Sequence, residues 1–162
     1  MPKLTVLILA AGAGTRMRSK TPKVLHPLAG RTMLAHALYA AADLAPDHLA
    51  TVVGHDRERV SESVTEIGSE LGRTITTSVQ EEQLGTGHAV ECAAAELEGF
   101  EGPVVVLCGD MPLLRSESLA ELLEARAETG GMSMLTTFTG DPTGYGRIVR
   151  SEEGVFERIV EE

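Results

Sequence analysis

From its first residues to about position 130, the chain alternates short apolar runs of strand length with longer amphipathic stretches. Few folds tolerate that pattern. A strand followed by a helix and a further strand builds right-handed crossovers, a parallel sheet, and helices on both faces. Residues 4–9, 49–53, 74–79, 104–107 and 132–138 read as strands, each short and rich in branched residues. Residues 32–44, 57–71, 87–97 and 116–129 read as helices, the last with Ser116 as N-cap and Glu117 favouring the positive end of the helix dipole. Residues 146–150 and 155–160 read as two further strands joined through Glu152, Glu153 and Gly154. The expected fold is therefore α/β: a doubly wound, mostly parallel sheet in three layers, α/β/α. In such sheets ligands bind at the carboxyl ends of the strands. Functional residues are thus expected just after positions 9, 79, 107 and 138.

Composition narrows the functional classes. With 162 residues, 43% of them hydrophobic, the chain suits one domain with one core. Aromatics are only 3%, so the core is aliphatic and stacking platforms for single-stranded nucleic acid are not expected. A formal net charge of −10 argues against a duplex-binding basic face, while leaving room for a small phosphate ligand held by a few local donors. Cys92 and Cys108 form neither a disulfide framework nor a CxxC pair and are expected as buried thiols in a reducing compartment. The apolar run at residues 4–11 is too short to span a bilayer or to serve as a signal peptide. A cytoplasmic protein with no membrane or nucleic-acid partner is the expectation.

The first apolar run leads into Leu9-Ala10-Ala11-Gly12-Ala13-Gly14-Thr15-Arg16-Met17. Gly12 and Gly14 let the backbone approach a ligand closely and present N–H groups to an anion. Arg16 adds a permanent cation with a fork suited to phosphate. Lys23, after the turn at Pro22, can return to the same place as a point charge. No Gly-Lys-Ser/Thr follows, so this is not a Walker loop, and Met17 stands where a dinucleotide fingerprint needs its third glycine. On its own, the Gly-x-Gly pair equally fits a tight strand-to-helix turn with a solvated Arg and Lys.

Three other stretches stand at strand ends. Gln80 and Gln83 follow the third strand; a carboxamide offers a donor and an acceptor, the complement of a pyrimidine imide edge, but a solvated polar loop has the same composition. Gly85 and Thr86 open the next helix, where their N–H groups and the Thr hydroxyl can meet a nucleotide or a sugar, or simply cap the helix. Cys108-Gly109-Asp110 follows the fourth strand, where a carboxylate can hold Mg²⁺ or cap the turn before Pro112. Of the histidines, His26, His36, His48, His55 and His88, none falls in a metal-ligand spacing, and His36 and His88 read as packed or capping residues on helices.

Together, LAAGAGTRM, PKVLHPLAGRTML, QEEQLGTGHA, GDMPLL and PTGYGRIVR resemble, in order and along essentially the whole chain, the nucleotidyltransferases acting on sugar 1-phosphates. The segment from Gln80 to Ala89 is similar to the base-binding segment of the bacterial UDP-N-acetylglucosamine pyrophosphorylases, where this domain is the N-terminal half of a bifunctional enzyme also carrying an acetyltransferase. The resemblance implies a Rossmann-like nucleotidyltransferase fold. It also implies uridylyl transfer from UTP to N-acetylglucosamine 1-phosphate, giving UDP-N-acetylglucosamine for cell-envelope precursors. Arg16 and Lys23 become catalytic residues. Leu9, Ala10, Ala11, Gly12, Gly14, Thr15, Gln80, Gln83, Gly85, Thr86, Cys108 and Gly109 become nucleotide- or substrate-binding residues. Gly146 and Glu161 become sugar contacts, and Asp110 a ligand of Mg²⁺. Members often carry an aromatic at the position of Cys108, which leaves only a backbone contact as the carried-over role there. A cytidylyl- or guanylyltransferase for a molybdopterin cofactor, or a non-catalytic sugar-nucleotide module, are the rivals; Gln83-Leu84-Gly85-Thr86 weighs against the first. The family's domain runs on past position 162 and takes a second metal ligand there. The chain is therefore expected to be the front part of a longer domain, weak in catalysis by itself, with any homo-oligomer formed through a further C-terminal part.

Overall fold

The structure, a computed structural model, describes residues 3–160. They form two compact units divided after Met132. The first is an α/β unit: β1 (Thr5–Ala10), the two-residue strands β2 (Pro27–Leu28) and β3 (Arg31–Thr32), α1 (Met33–Ala42), β4 (His48–Val53), α2 (Arg57–Glu70), β5 (Thr76–Val79), α3 (Thr86–Cys92), β6 (Val104–Cys108) and α4 (Ser116–Thr129). The second holds an antiparallel pair, β7 (Arg147–Arg150) and β8 (Phe156–Val160).

The central sheet is parallel throughout, in the order β5-β4-β1-β6. β1 lies inside it and is almost wholly buried, as its unbroken run of Val, Leu and Ile requires. Its alternate residues serve opposite faces. Val6, Ile8 and Ala10 join Leu34 and Leu38 of α1, Val60 and Val64 of α2, and Leu119 of α4 in one apolar cluster. Leu7 and Ala11 join Ala50, Val52, Ala89 and Ala93 in a second, under α3. That is the expected three-layer arrangement. Truncating a fully buried residue such as Leu38 to Ala leaves a hole and lost transfer energy, together about 2–5 kcal/mol. At the edge strand β6, Val105 and Leu107 are buried while Val104 and Val106 are exposed, so only one face of that strand is covered.

Most elements fall where periodicity places them, with three corrections. Residues 132–138 do not form a strand: the segment pairs with no strand among the described residues, and Met132, Met134, Leu135 and Phe138 are exposed. β-Propensity without a neighbouring ladder or a buried face does not make a strand. Ser116 is the first helical residue of α4 rather than its cap; Arg115 holds the N-cap position without a side-chain bond. The helix expected over 87–97 stops at Cys92, and the chain tightens into a separate 3₁₀ turn at Ala94–Leu97. By contrast, Thr32 caps α1, its hydroxyl accepting from Ala35 N–H at 3.1 Å.

Candidate active site

From β1 the chain steps outward through β4 to β5, then returns to the other side of β1 as β6. The crevice where the winding reverses, at the carboxyl ends of β1 and β6, is where open α/β sheets bind ligands. A cavity of about 560 Å³ opens there, within the range of small-molecule sites. Backbone bonds knit the strand ends around it. Gly109 N–H donates to the Leu9 carbonyl at 2.9 Å, His55 N–H to Ala11 at 3.1 Å, and Gln80 N–H to Val53 at 2.8 Å.

The glycine-rich loop forms one wall, through Leu9, Ala10, Ala11, Gly12, Ala13, Gly14, Thr15, Arg16 and Met17. Gly14 has φ +60°, and a Cβ there would stand 2.6 Å from the Lys23 Cβ, so only glycine fits on both counts. From it the chain winds into a 3₁₀ turn over Thr15–Met17 that carries Arg16 to the cavity. Arg16 has no ion-pair partner among the described residues.

Lys23 begins a second 3₁₀ turn, Lys23–Leu25, set by Pro22 in its extended conformation. Its ammonium meets the Asp110 carboxylate at 2.5 Å, and both residues line the cavity. Cys108, on the same wall, has its thiol pushed above its ordinary pKa by burial, helped by the Asp110 carboxylate and opposed by Lys23. It is therefore a poor nucleophile.

The segment after β5 supplies a further part of the lining. Gln80 is buried, and its amide nitrogen donates to the Gly85 carbonyl at 3.0 Å and lies 3.1 Å from His88 Nδ1. Gln83 reaches across to the glycine-rich loop, donating to the Ala11 carbonyl at 3.0 Å. Gly85, at φ +100°, ψ 179°, adopts a conformation essentially closed to other residues and turns the chain into α3. Thr86 and Ala89 complete this side.

The structure thus brings Leu9, Ala10, Ala11, Gly12, Gly14, Thr15, Arg16, Lys23, Gln80, Gln83, Gly85, Thr86, Cys108 and Asp110 to one cavity. Gly109 is buried behind it, tying β6 to β1 rather than lining the space. Gly146 belongs to the second unit, and Glu161 lies outside the described residues. Ala13, Val24 and Ala89 also line the cavity without having stood out in the sequence, since small and apolar residues carry no chemical signal, and Met17, which in the sequence only excludes a dinucleotide fingerprint, lines it too.

A family model for the MobA-like NTP transferase domain matches residues 6–152. The chain belongs to this family. Among curated relatives, the bifunctional protein GlmU of Mycolicibacterium gilvum is 56% identical across the whole chain, that of Nocardia farcinica 55% identical over 99% of it, and that of Corynebacterium glutamicum strain ATCC 13032 51% identical over 97%. The chain spans about a third of the length of these relatives. Among solved structures, HddC from Yersinia pseudotuberculosis superposes with a TM-score of 0.69 at 18% identity, over 98% of this chain and 69% of its own. Rv0371c from Mycobacterium tuberculosis does so with 0.59 at 23%, over 76% and 60%. At those identities the likeness is one of fold.

For an NTP transferase domain the cavity is chemically apt. It offers two fixed cations, glycine N–H groups, and a single carboxylate at a strand end. Among the described residues no group of three or more His, Cys, Asp or Glu could cage a metal. Mg²⁺ does not require one: it binds through one or two carboxylates, waters and the substrate's own phosphates. No helix among the described residues is long and apolar enough to cross a membrane.

Proposed function

We propose that this cavity carries out uridylyl transfer from UTP to N-acetylglucosamine 1-phosphate, releasing pyrophosphate and forming UDP-N-acetylglucosamine. The observation that carries the reading is the presence of phosphate-type cations, Arg16 and Lys23, and a base-type carboxamide, Gln80, in the lining of one cavity. Kinship with proteins named as bifunctional GlmU agrees with it.

In the reaction an oxygen of the sugar phosphate attacks the α-phosphorus of UTP; a new phosphorus–oxygen bond forms and the α–β anhydride bond breaks. The protein's part is positioning and charge neutralisation, without a covalent intermediate. The N–H groups of the Gly12–Gly14 stretch cradle the triphosphate and Arg16 grips it. Lys23, tethered by the Pro22 turn, neutralises charge at the reacting phosphates. Asp110 is the residue that would hold Mg²⁺, whose chemistry when bound is to offset charge on phosphate oxygens. Gln80 reads the base, and Thr86 and Gly85 face the nucleoside. Cys108, with its raised pKa, stays a neutral thiol in the wall.

The test is pyrophosphate release and UDP-sugar formation with UTP, CTP and GTP against N-acetylglucosamine 1-phosphate and other sugar 1-phosphates, in this chain and in a longer form. UTP with N-acetylglucosamine 1-phosphate should be the preferred pair. Preference for GTP or CTP would replace the reading with that of a sibling nucleotidyltransferase. Nucleotide binding with no turnover in either form would replace it with a sensor.

A further inference from the structure

Gln80 is only 4% exposed, one of very few polar side chains buried in the α/β unit. Its amide nitrogen carries two protons. One goes to the Gly85 carbonyl at 3.0 Å, a partner that can only accept, so nitrogen and not oxygen must face it. The other points to His88 Nδ1 at 3.1 Å, so Nδ1 must present its lone pair. The neutral ring then carries its proton on Nε2, and that atom lies 3.7 Å from Cys92 Sγ, a soft acceptor one helical turn on. The donors run in one direction, Gln80 to His88 to Cys92. Both amide protons are committed inside the protein, and what Gln80 has left to offer the cavity it lines is the acceptor Oε1. An acceptor there suits the N3–H of uracil and opposes the N3 lone pair of cytosine. This narrows the donor-and-acceptor role read from the sequence to the acceptor alone.

We propose that His88 is a positioning residue for base selection: by accepting the second amide proton it locks Gln80 with its oxygen toward the base. To accommodate cytosine, the carboxamide would have to turn over. That turn breaks the bonds to Gly85 and His88 and sets Oε1 against two lone pairs. Without His88 about half of that opposition is gone. The inference rests on Gln80 being the base contact, and the test separates the two.

UTP and CTP affinities are measured by titration calorimetry for the parent chain, Gln80→Ala, His88→Ala, His88→Phe and His88→Asn. Losing one buried hydrogen bond should lower the UTP/CTP affinity ratio about tenfold in His88→Ala and His88→Phe. His88→Asn sets a carbonyl oxygen near the place of Nδ1 and should restore most of the ratio. An unchanged ratio in His88→Ala and His88→Phe, with both nucleotides weakened alike, overturns the inference while leaving Gln80 as the base contact if Gln80→Ala collapses the ratio. A ratio untouched by Gln80→Ala removes the base contact and the inference together. Should the variants fail to fold, long-range ¹H–¹⁵N spectra of the parent's His88 decide: an unprotonated Nδ1 is expected, and a protonated Nδ1 overturns the lock.

Discussion

The Lys23 ammonium lies 2.5 Å from the Asp110 carboxylate, joining positions 87 apart in sequence across the mouth of the cavity. The two side chains are 40% and 32% exposed, so water screens the pair and it adds little to folding, less than about 1 kcal/mol. Its value is chemical: it places a cation and an anion where phosphates and a metal ion would arrive.

Lys23→Ala should therefore separate stability from turnover. The melting temperature should stay close to that of the parent. Pyrophosphate release should fall by about 100-fold or more, the usual effect of removing a preorganised charge at a reacting group. Near-normal kcat in the variant would remove Lys23 from the reacting phosphates.

Gly14→Ala should damage the same site through the backbone. The residue sits at φ +60°, and the new methyl would meet the Lys23 Cβ at 2.6 Å. A cost of about 1–2 kcal/mol for the left-handed conformation is expected in urea unfolding, with a marked loss of UTP affinity as Lys23 is displaced. Gly12→Ala is the control: nothing stands within 4 Å of its Cβ, and its stability should match the parent's. Equal stability of the two variants would show that the loop adapts freely.

These two residues also mark how far the sequence carries. β1 and β4 announce themselves because strands buried on both faces demand continuous apolar runs, and the loop after β1 is glycine-rich for close approach. Residues 132–138 also read as a strand from their local sequence yet form none, because strandedness depends on a partner that lies elsewhere in the chain. Arg16, Lys23 and Asp110 are legible as charges, but the meeting of Lys23 with Asp110 is not, since no period links positions 87 apart. His88 is harder still. On its helix it looks like a packed residue, and only the buried amide of Gln80 reveals which of its nitrogens accepts.

Cys108 gives a pH-dependent prediction. Its pKa is raised, by burial first and by Asp110 second, so at any given pH it holds less thiolate than an unperturbed cysteine. Alkylation by iodoacetamide at pH 8, followed by mass spectrometry of the Cys108 peptide, should be slower than for a model thiol. It should accelerate as pH rises toward the elevated value. UTP should slow it further, because Cys108 lines the cavity. Alkylation faster than the model thiol would reverse the sign of the shift and reopen a nucleophilic role.

Asp110→Asn should change UTP binding in opposite directions with and without metal. In the parent, Asp110 contributes a negative charge to a cavity that is to receive a triphosphate, and it occupies the ammonium of Lys23 at 2.5 Å. Replacing the carboxylate by a neutral amide frees Lys23 and removes that repulsion. In EDTA, UTP should therefore bind the variant more tightly than the parent, and more so at low salt, where screening is weak. In Mg²⁺ the order should invert. The amide is a poor ligand for a hard cation, so the variant should gain little on adding the metal while the parent gains substantially. Calorimetric titration in the two buffers reads both effects, and the difference between them isolates the metal's share. An equal gain from Mg²⁺ in parent and variant would mean that Asp110 does not hold the ion and that its role ends with the Lys23 pair.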